Sequence, residues 1–358
     1  MKEPRLYLES GYINLPFMLS FGCPFIVMIG PRGTGKTYTI LDYYREKGEL
    51  ILYMRRSQTA IDSASTRDLN PYVPINNDKQ CAIVPKPTKD YTIFYNSHIE
   101  YVEDKKGENL EPVEVLDDKV ALGMAFSTFY NKRSLSGEGI NTVFFDEVIR
   151  EPLEKRIKGE GKAFLNMYET LNRNRELKGQ KPVQCILAGN SDSLDSEILQ
   201  SIGAIEVIEK MYAEDKYVYV NRDRGLAVFM LTESPIAAKK KDTALYKIAN
   251  NKEFTDMATN NVFTDLRDSN DIKSMPLNEY TPLFSLNKRL TVYQHKSNDT
   301  IYVTRKKSGS PLNINMNYKD DKLLYKQQFA HLLIYKRIMK EIFYDSYDTK
   351  VDFNHILE

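Results

Sequence analysis

Short apolar runs alternate with amphipathic stretches over residues 1–195, and the two patterns have different periods. Runs bounded by polar or turn residues occur at 24–29, 49–56, 120–127, 142–147 and 183–190. Such runs read as strands buried on both faces. Residues 37–48 follow the first run with a helical pattern, and 164–176 place Phe164, Leu165, Tyr168 and Leu171 on one helical face. Residues 91–104 read as a β-hairpin turning near Asn96 and Ser97. Strands interleaved with helices predict a mostly parallel α/β sheet with helices on both faces. Past Ser193 the pattern changes. An amphipathic helix covers 196–212, strand-like runs cover 216–221 and 226–232, and further strands at 290–295 and 300–306 flank a turn at 297–299. The longest helical signal is 321–343, where Leu324, Phe329, Leu332, Leu333, Ile338 and Ile342 form a core stripe against a small sheet. The expected layout is an α/β domain over 1–195, a linker region over 196–230 and a smaller α+β domain over 231–358.

The first strand runs into GPRGTGKT, residues 30–37. This is the P-loop pattern in its required strand–loop–helix setting. A phosphate chain is wrapped by inward-facing backbone N–H groups, which demands glycine where the chain turns sharply. The nucleotide-binding set is therefore Gly30, Arg32, Gly33, Thr34, Gly35, Lys36, Thr37 and Tyr38. Lys36 reaches the outer phosphates and the Thr37 hydroxyl holds Mg²⁺, so ATP and magnesium are the expected ligands.

A second component stands at 142–147, an apolar run ending in Asp146 and Glu147. The expectation is a strand beside the P-loop strand, delivering both acids to the ligand-binding end of the sheet. Asp146 then holds magnesium through water. Glu147, on the other side of the pleat, polarises the attacking water as a general base. The helix over 164–176 ends in Asn172-Arg173-Asn174-Arg175. An arginine there either reaches a neighbouring subunit's γ-phosphate, worth ~10³ to 10⁵ in rate, or merely stabilises the helix end by up to about 1 kcal/mol. Arg173 is the preferred candidate for the first role. Asn190 either orients the water or is a plain strand-end residue. Arg55 and Arg56 line the nucleotide or subunit interface, or pair with nearby carboxylates. Arg150 has three open readings: phosphate contact, subunit communication or a salt bridge.

Composition narrows the class further. The net charge of +1 does not announce nucleic acid. From Leu231 onward, however, 20 basic residues stand against 16 acidic ones, with clusters at 239–241, 288–289 and 305–307. Cys23, Cys81 and Cys185 lack metal-ligand spacing and suit buried packing in a reduced compartment. Neither a signal-peptide pattern nor an apolar stretch of membrane-spanning length is present, so a cytoplasmic, non-membrane protein is expected. The four histidines are scattered, and no Ser-His-Asp or Cys-His arrangement is visible.

The ordered segments IGPRGTGKTY, LYMRR, GMAFSTFYNKRS, VFFDEVIRE, LNRNRE and CILAGN resemble the DNA-encapsidation ATPase of phi29-like phages over residues 20–195. That resemblance implies an ASCE-type P-loop ATPase working as a homomeric ring, a pentamer. The ring would sit at the portal (connector) vertex of a procapsid in the host cytoplasm and translocate double-stranded DNA. It also implies that Arg173 acts in trans, and that the C-terminal part is a degenerate RNase H-like domain that docks, in that family, through a structural RNA. Ser57-Gln58 stand where the family has a basic residue nearby, which leaves a lid lysine without a counterpart. A two-metal nuclease needs several carboxylates brought together. Asp265, Asp268 and Asp271 cluster in a polar, loop-like stretch rather than at strand ends, so DNA cleavage is not expected. The competing readings are another ring-forming motor, a helicase or an assembly or secretion ATPase, and a nucleotide-binding switch with negligible turnover.

Overall fold

The computed structural model describes residues 6–103, 110–131, 139–150, 154–190, 194–231, 235, 270–307, 309 and 311–357. The chain forms two compact units. One comprises Met1–Ser193 with Met211–Val262; the other comprises Leu194–Lys210 with Phe263–Glu358.

The first unit is built on a nine-stranded sheet. Its strands are β1 (Phe25–Ile29), β2 (Ile51–Arg55), β3 (Ile83–Pro87), β4 (Thr92–Glu103), β5 (Leu110–Ala125), β6 (Thr142–Asp146), β7 (Gln184–Gly189), β8 (Val218–Asn221) and β9 (Leu226–Met230). The order is β3-β4-β5-β2-β6-β7-β1-β9-β8. Six neighbouring strands, β5 to β9 in that order, run parallel, and antiparallel β3, β4 and β8 complete the two edges. Ile26, Met28, Leu52, Phe144, Phe145 and Ile186 are fully buried, as the uninterrupted apolar runs require of strands covered on both sides. The covering helices include α1 (Leu15–Leu19), α2 (Lys36–Glu46), α3 (Gln58–Ala64), α4 (Val73–Lys79), α5 (Phe126–Asn131) and α6 (Glu160–Asn172). Helix α6 buries Ala163, Phe164, Met167 and Leu171, the stripe expected from its sequence.

Three expectations for this unit are corrected. The acidic strand β6 is not beside β1, because β7 runs between them. Two inter-strand spacings separate β6 from β1, about 10 Å, and that gap lies next to the P-loop. Asn96 and Ser97 form no turn. They lie inside β4, where the pairing to β5 shifts register around Tyr95 and Ser97, and a bulge lets an extended strand pass through polar residues. Beyond the bulge β4 and β5 continue as a two-stranded ribbon that exposes Ile99, Tyr101, Val102, Leu110 and Val113. Within 196–230, the stretch expected as a linker, β8 and β9 are strands of the large sheet.

The second unit holds a five-stranded sheet of β10 (Tyr280–Leu286), β11 (Leu290–His295), β12 (Ile301–Thr304), β13 (Leu312–Ile314) and β14 (Ile342–Tyr344), in the order β13-β10-β11-β12-β14. The first three form an antiparallel meander, with β13 parallel to β10 and β14 parallel to β12. Further α-helices are α7 (Glu197–Ser201), α8 (Ala204–Ala213), α9 (Lys319–Gln328), α10 (Ala330–Ile338) and α11 (Tyr347–Leu357). The single long helix expected over 321–343 is instead two helices and a strand. Phe329, at φ −123° and ψ −26°, breaks the helical path between α9 and α10. Its ring packs against Phe284 in a tilted pair, centroids 4.3 Å apart, so core packing overrides the continuous 3.6-residue pattern. Asp271 is paired with Lys350 at 2.8 Å. Asp265, Asp268 and the 239–241 cluster lie outside the described residues. Among the described residues no helix is long and apolar enough to cross a membrane.

Candidate functional site

Strand β1 ends at Ile29, and the P-loop follows at the C-terminal edge of the parallel strands. Gly35 caps α2 with φ +78° and no side-chain hydrogen bond. The first N–H groups of that helix therefore point at the loop mouth, the arrangement that binds phosphate. Lys36 is buried, and its Nζ donates to the carbonyls of Gly30 (3.0 Å) and Pro31 (2.9 Å). Thr34 is also buried and its hydroxyl donates to the Pro31 carbonyl at 3.3 Å, while Arg32 and Gly33 are exposed.

Across from the loop, the Thr37 hydroxyl donates to Asp146 Oδ2 at 3.0 Å. The Thr37–Asp146 pair thus brings a hydroxyl and a carboxylate, oxygen donors of the kind magnesium takes, to one point beside the P-loop. Tyr53 donates to the same carboxylate oxygen at 3.4 Å. Burial drives the Tyr53 pKa upward, which keeps the phenol a donor.

Glu147 departs from the expected geometry. Strand alternation would send it to the face opposite Asp146, but the strand stops at Asp146 and Glu147 takes the left-handed conformation, φ +57°. That turn brings both acids to one arginine. Arg55 Nη1 is 3.8 Å from Asp146 Oδ2, and Nη2 donates to Glu147 Oε2. Burial disfavours the Arg55 charge, yet Tyr53, Asp146 and Glu147 together outweigh it and push the Arg55 pKa upward. The guanidinium is therefore a fixed positive charge at the mouth of the site. Asn190 follows the last residue of β7, the strand between β1 and β6, and the neighbouring Gly189 carbonyl accepts from Gly30 N at 3.2 Å.

Arg173 lies at the other edge of the sheet. A cleft of about 1370 Å³ is lined there by Pro24, Thr142 and Gln184 at the starts of β1, β6 and β7, together with Arg173, Arg175 and Lys178. A five-residue strand spans about 17 Å, so Arg173 and the P-loop of its own chain occupy opposite ends of the strands. The two arginines also differ. Arg175 donates to Asn141 Oδ1 (2.9 Å) and to the Ile140 carbonyl (2.7 Å), which anchors it. Arg173 is exposed, donates to the Thr170 carbonyl at 3.2 Å, and ends α6 at φ +43°, ψ −130°. That backbone conformation is strained for any residue but glycine, and such outliers collect at functional sites.

No family model matches the chain, and no curated protein matches it. Two solved structures match it over nearly its whole length. The Phi-28 gp11 DNA packaging motor has a TM-score of 0.61 at 18% identity, with 95% of this chain and 96% of that one covered. The bacteriophage Phi-29 viral genome packaging motor assembly has a TM-score of 0.64 at 17% identity, with 96% and 99% covered. The chain shares the fold of these packaging motors.

Two contributors to the site escaped the sequence reading. Tyr53 was legible in principle, since residues two apart on a strand share a face and Tyr53 and Arg55 stand two apart on β2. Tyr12 was not, because its contact is made by a separate segment. Its ring stacks on Tyr38 at 5.0 Å with planes 6° apart, and it packs against the P-loop so closely that a Cβ on Gly35 would lie 2.2 Å from Tyr12 Cδ1. Gly35→Ala is therefore expected to lower stability by about 1 kcal/mol or more, from the positive φ and the clash together, and to weaken nucleotide uptake. Adding Tyr12→Ala should restore part of both losses. Melting curves and nucleotide titration check this; a single variant that melts and binds like the wild type contradicts the packing. Arg150 Nη1 donates to the Glu154 backbone carbonyl at 3.3 Å, which leaves its three readings open.

Proposed function

We propose that this chain is the ATPase subunit of a homomeric ring, a pentamer, that drives double-stranded viral DNA into a procapsid at its portal vertex in the host cytoplasm. The observation that carries the ATPase reading is the meeting of Thr37, Asp146, Glu147 and Arg55 beside a P-loop. The packaging reading is supported by the fold, shared over nearly the whole chain with two phage packaging motors. Docking through a structural RNA belongs to the same reading and rests on the resemblance alone.

The residues divide the work. Lys36 exchanges its loop carbonyls for the outer phosphates of ATP, and the P-loop N–H groups hold the chain of phosphates. Thr37 and Asp146 would hold magnesium, which supplies neutralisation of the charge gathering on the transferred phosphoryl oxygens. Glu147 accepts a proton from the water that attacks the γ-phosphorus as the bond to the β-phosphate oxygen breaks. It can do so only when Arg55 releases it, since an ion-paired carboxylate is a weaker base. Arg173 of one subunit enters the neighbour's site and stabilises the transferring phosphoryl group.

The test is reconstitution. Purified protein, empty procapsids and double-stranded DNA should give DNA-stimulated ATP hydrolysis and nuclease-protected DNA without strand separation. Unwinding of the duplex would favour a helicase. ATP binding without DNA-stimulated turnover would reduce the chain to a switch.

A further inference from the structure

We propose that Arg56 is a positioning residue for Arg173, fixing α6 to the strand ends of its own nucleotide site and so setting how each subunit presents Arg173 to its neighbour. This rests on the reading of Arg173 as acting in trans.

Arg55 is the last residue of β2 and Arg56 the first beyond it, and the two side chains take different partners. Arg55 holds the two acids of the nucleotide site. Arg56, whose side chain is only 3% exposed, pairs with the buried carboxylate of Glu160, the first residue of α6. Its Nε also donates to Glu154 Oε2 at 3.1 Å, and its Nη1 donates to the Val148 carbonyl at 3.4 Å. Val148 directly follows Glu147, and its own N–H donates to the Ala188 carbonyl at 2.9 Å. One planar fork therefore ties the backbone just after Glu147 to the start of α6. A buried ion pair is weak evidence of net stabilisation, because desolvation consumes most of the Coulomb gain. Its assured contribution is a single geometry, which the fixed donor pattern of a guanidinium enforces.

Helix α6 carries that geometry to its far end. Its 13 residues span about 20 Å, and its buried stripe packs it as a rigid element. At the far end Asn172 Nδ2 donates to Glu176 Oε2 at 2.8 Å, and Asn172 Oδ1 accepts from Val183 N at 2.8 Å. Arg173 follows immediately. Over that length a tilt of about 5° moves Arg173 by roughly 2 Å, and a misplacement of about 1 Å costs on the order of 10²-fold in rate. Arg56 thus links the conformation at one subunit's Glu147 to catalysis in the next subunit.

Complementation in mixed rings tests this. Arg56→Met is expected to bind ATP with an unchanged Kd and to lose on the order of 10²-fold in kcat. Its own site remains sound, so mixing it with Glu147→Gln subunits, which still offer Arg173, should recover hydrolysis. Mixing it with Arg173→Ala should recover none, since neither subunit offers a correctly placed arginine. The reverse pattern, recovery with Arg173→Ala and not with Glu147→Gln, would put the defect in the subunit's own site and overturn the proposal. So would an Arg56→Met Kd raised tenfold. The mixture of Arg173→Ala with Glu147→Gln is the control, and no recovery there would sink the trans reading itself. Should the orphaned Glu160 charge prevent folding, the Arg56→Met/Glu160→Met pair removes both charges, and Arg56→Lys keeps the charge without the fork. Both are expected to complement in the same pattern.

Discussion

Glu147→Gln is expected to take up ATP as tightly as the wild-type chain and to turn it over ~10²- to 10⁴-fold more slowly, the range for loss of a positioned general base. The substitution keeps shape and removes the proton acceptor. Thr37, Lys36 and Asp146 remain in place, so nucleotide binding has no reason to change. The carboxamide also removes the carboxylate charge that faces Arg55, which keeps Asp146 and the Tyr53 hydroxyl as partners. Titration calorimetry measures the uptake and single-turnover hydrolysis measures the chemistry. A rate within tenfold of the wild type would mean that another group accepts the proton.

The second large effect belongs to Arg173. On the proposed trans role, Arg173→Ala should lower kcat by ~10³ to 10⁵ with little change in ATP affinity, because the arginine would be supplied to charge that develops only in the transition state. Its place at the sheet edge opposite its own P-loop would then make the loss a property of the neighbour. Subunits carrying Arg173→Ala and Glu147→Gln should therefore regain hydrolysis when mixed. Arg173→Gly provides an independent reading of the backbone. At φ +43° glycine relieves strain, so this variant should be as inactive as the alanine one yet more stable than it by about 1 kcal/mol. Equal melting temperatures for the two would show that the conformation stores no strain.

The placement of the site residues was readable wherever it is local. The P-loop, Thr37 and the acidic pair are each set by a few consecutive residues in a strand–loop–helix or strand-end setting. The order of strands is not local. Nothing within 142–147 or 183–190 says that β7 separates β6 from β1, and that interposition decides how far Asp146 lies from the loop. Asn96 and Ser97 look like a turn because polar residues interrupt the run, yet a register shift absorbs them inside β4. The helical stripe over 321–343 continues through Phe329, whose ring is drawn onto Phe284 and breaks the helix there. Glu147 was misassigned to the far face because alternation was carried one residue past the end of the strand. The roles of Arg55 and Arg56 stayed open for a related reason. Their acidic partners stand more than 90 positions away in sequence, and only the folded chain brings them together.

The left-handed backbone at Glu147 and Arg173 also bears on how the protein would respond to artificial evolution. Glycine suits both conformations better than any side chain, so a screen rewarding heat tolerance alone would be drawn toward glycine at these two positions. The survivors would be robust and idle, having shed the proton acceptor at one site and the charge offered to the next. Only a selection that also demands work from the assembly would keep them.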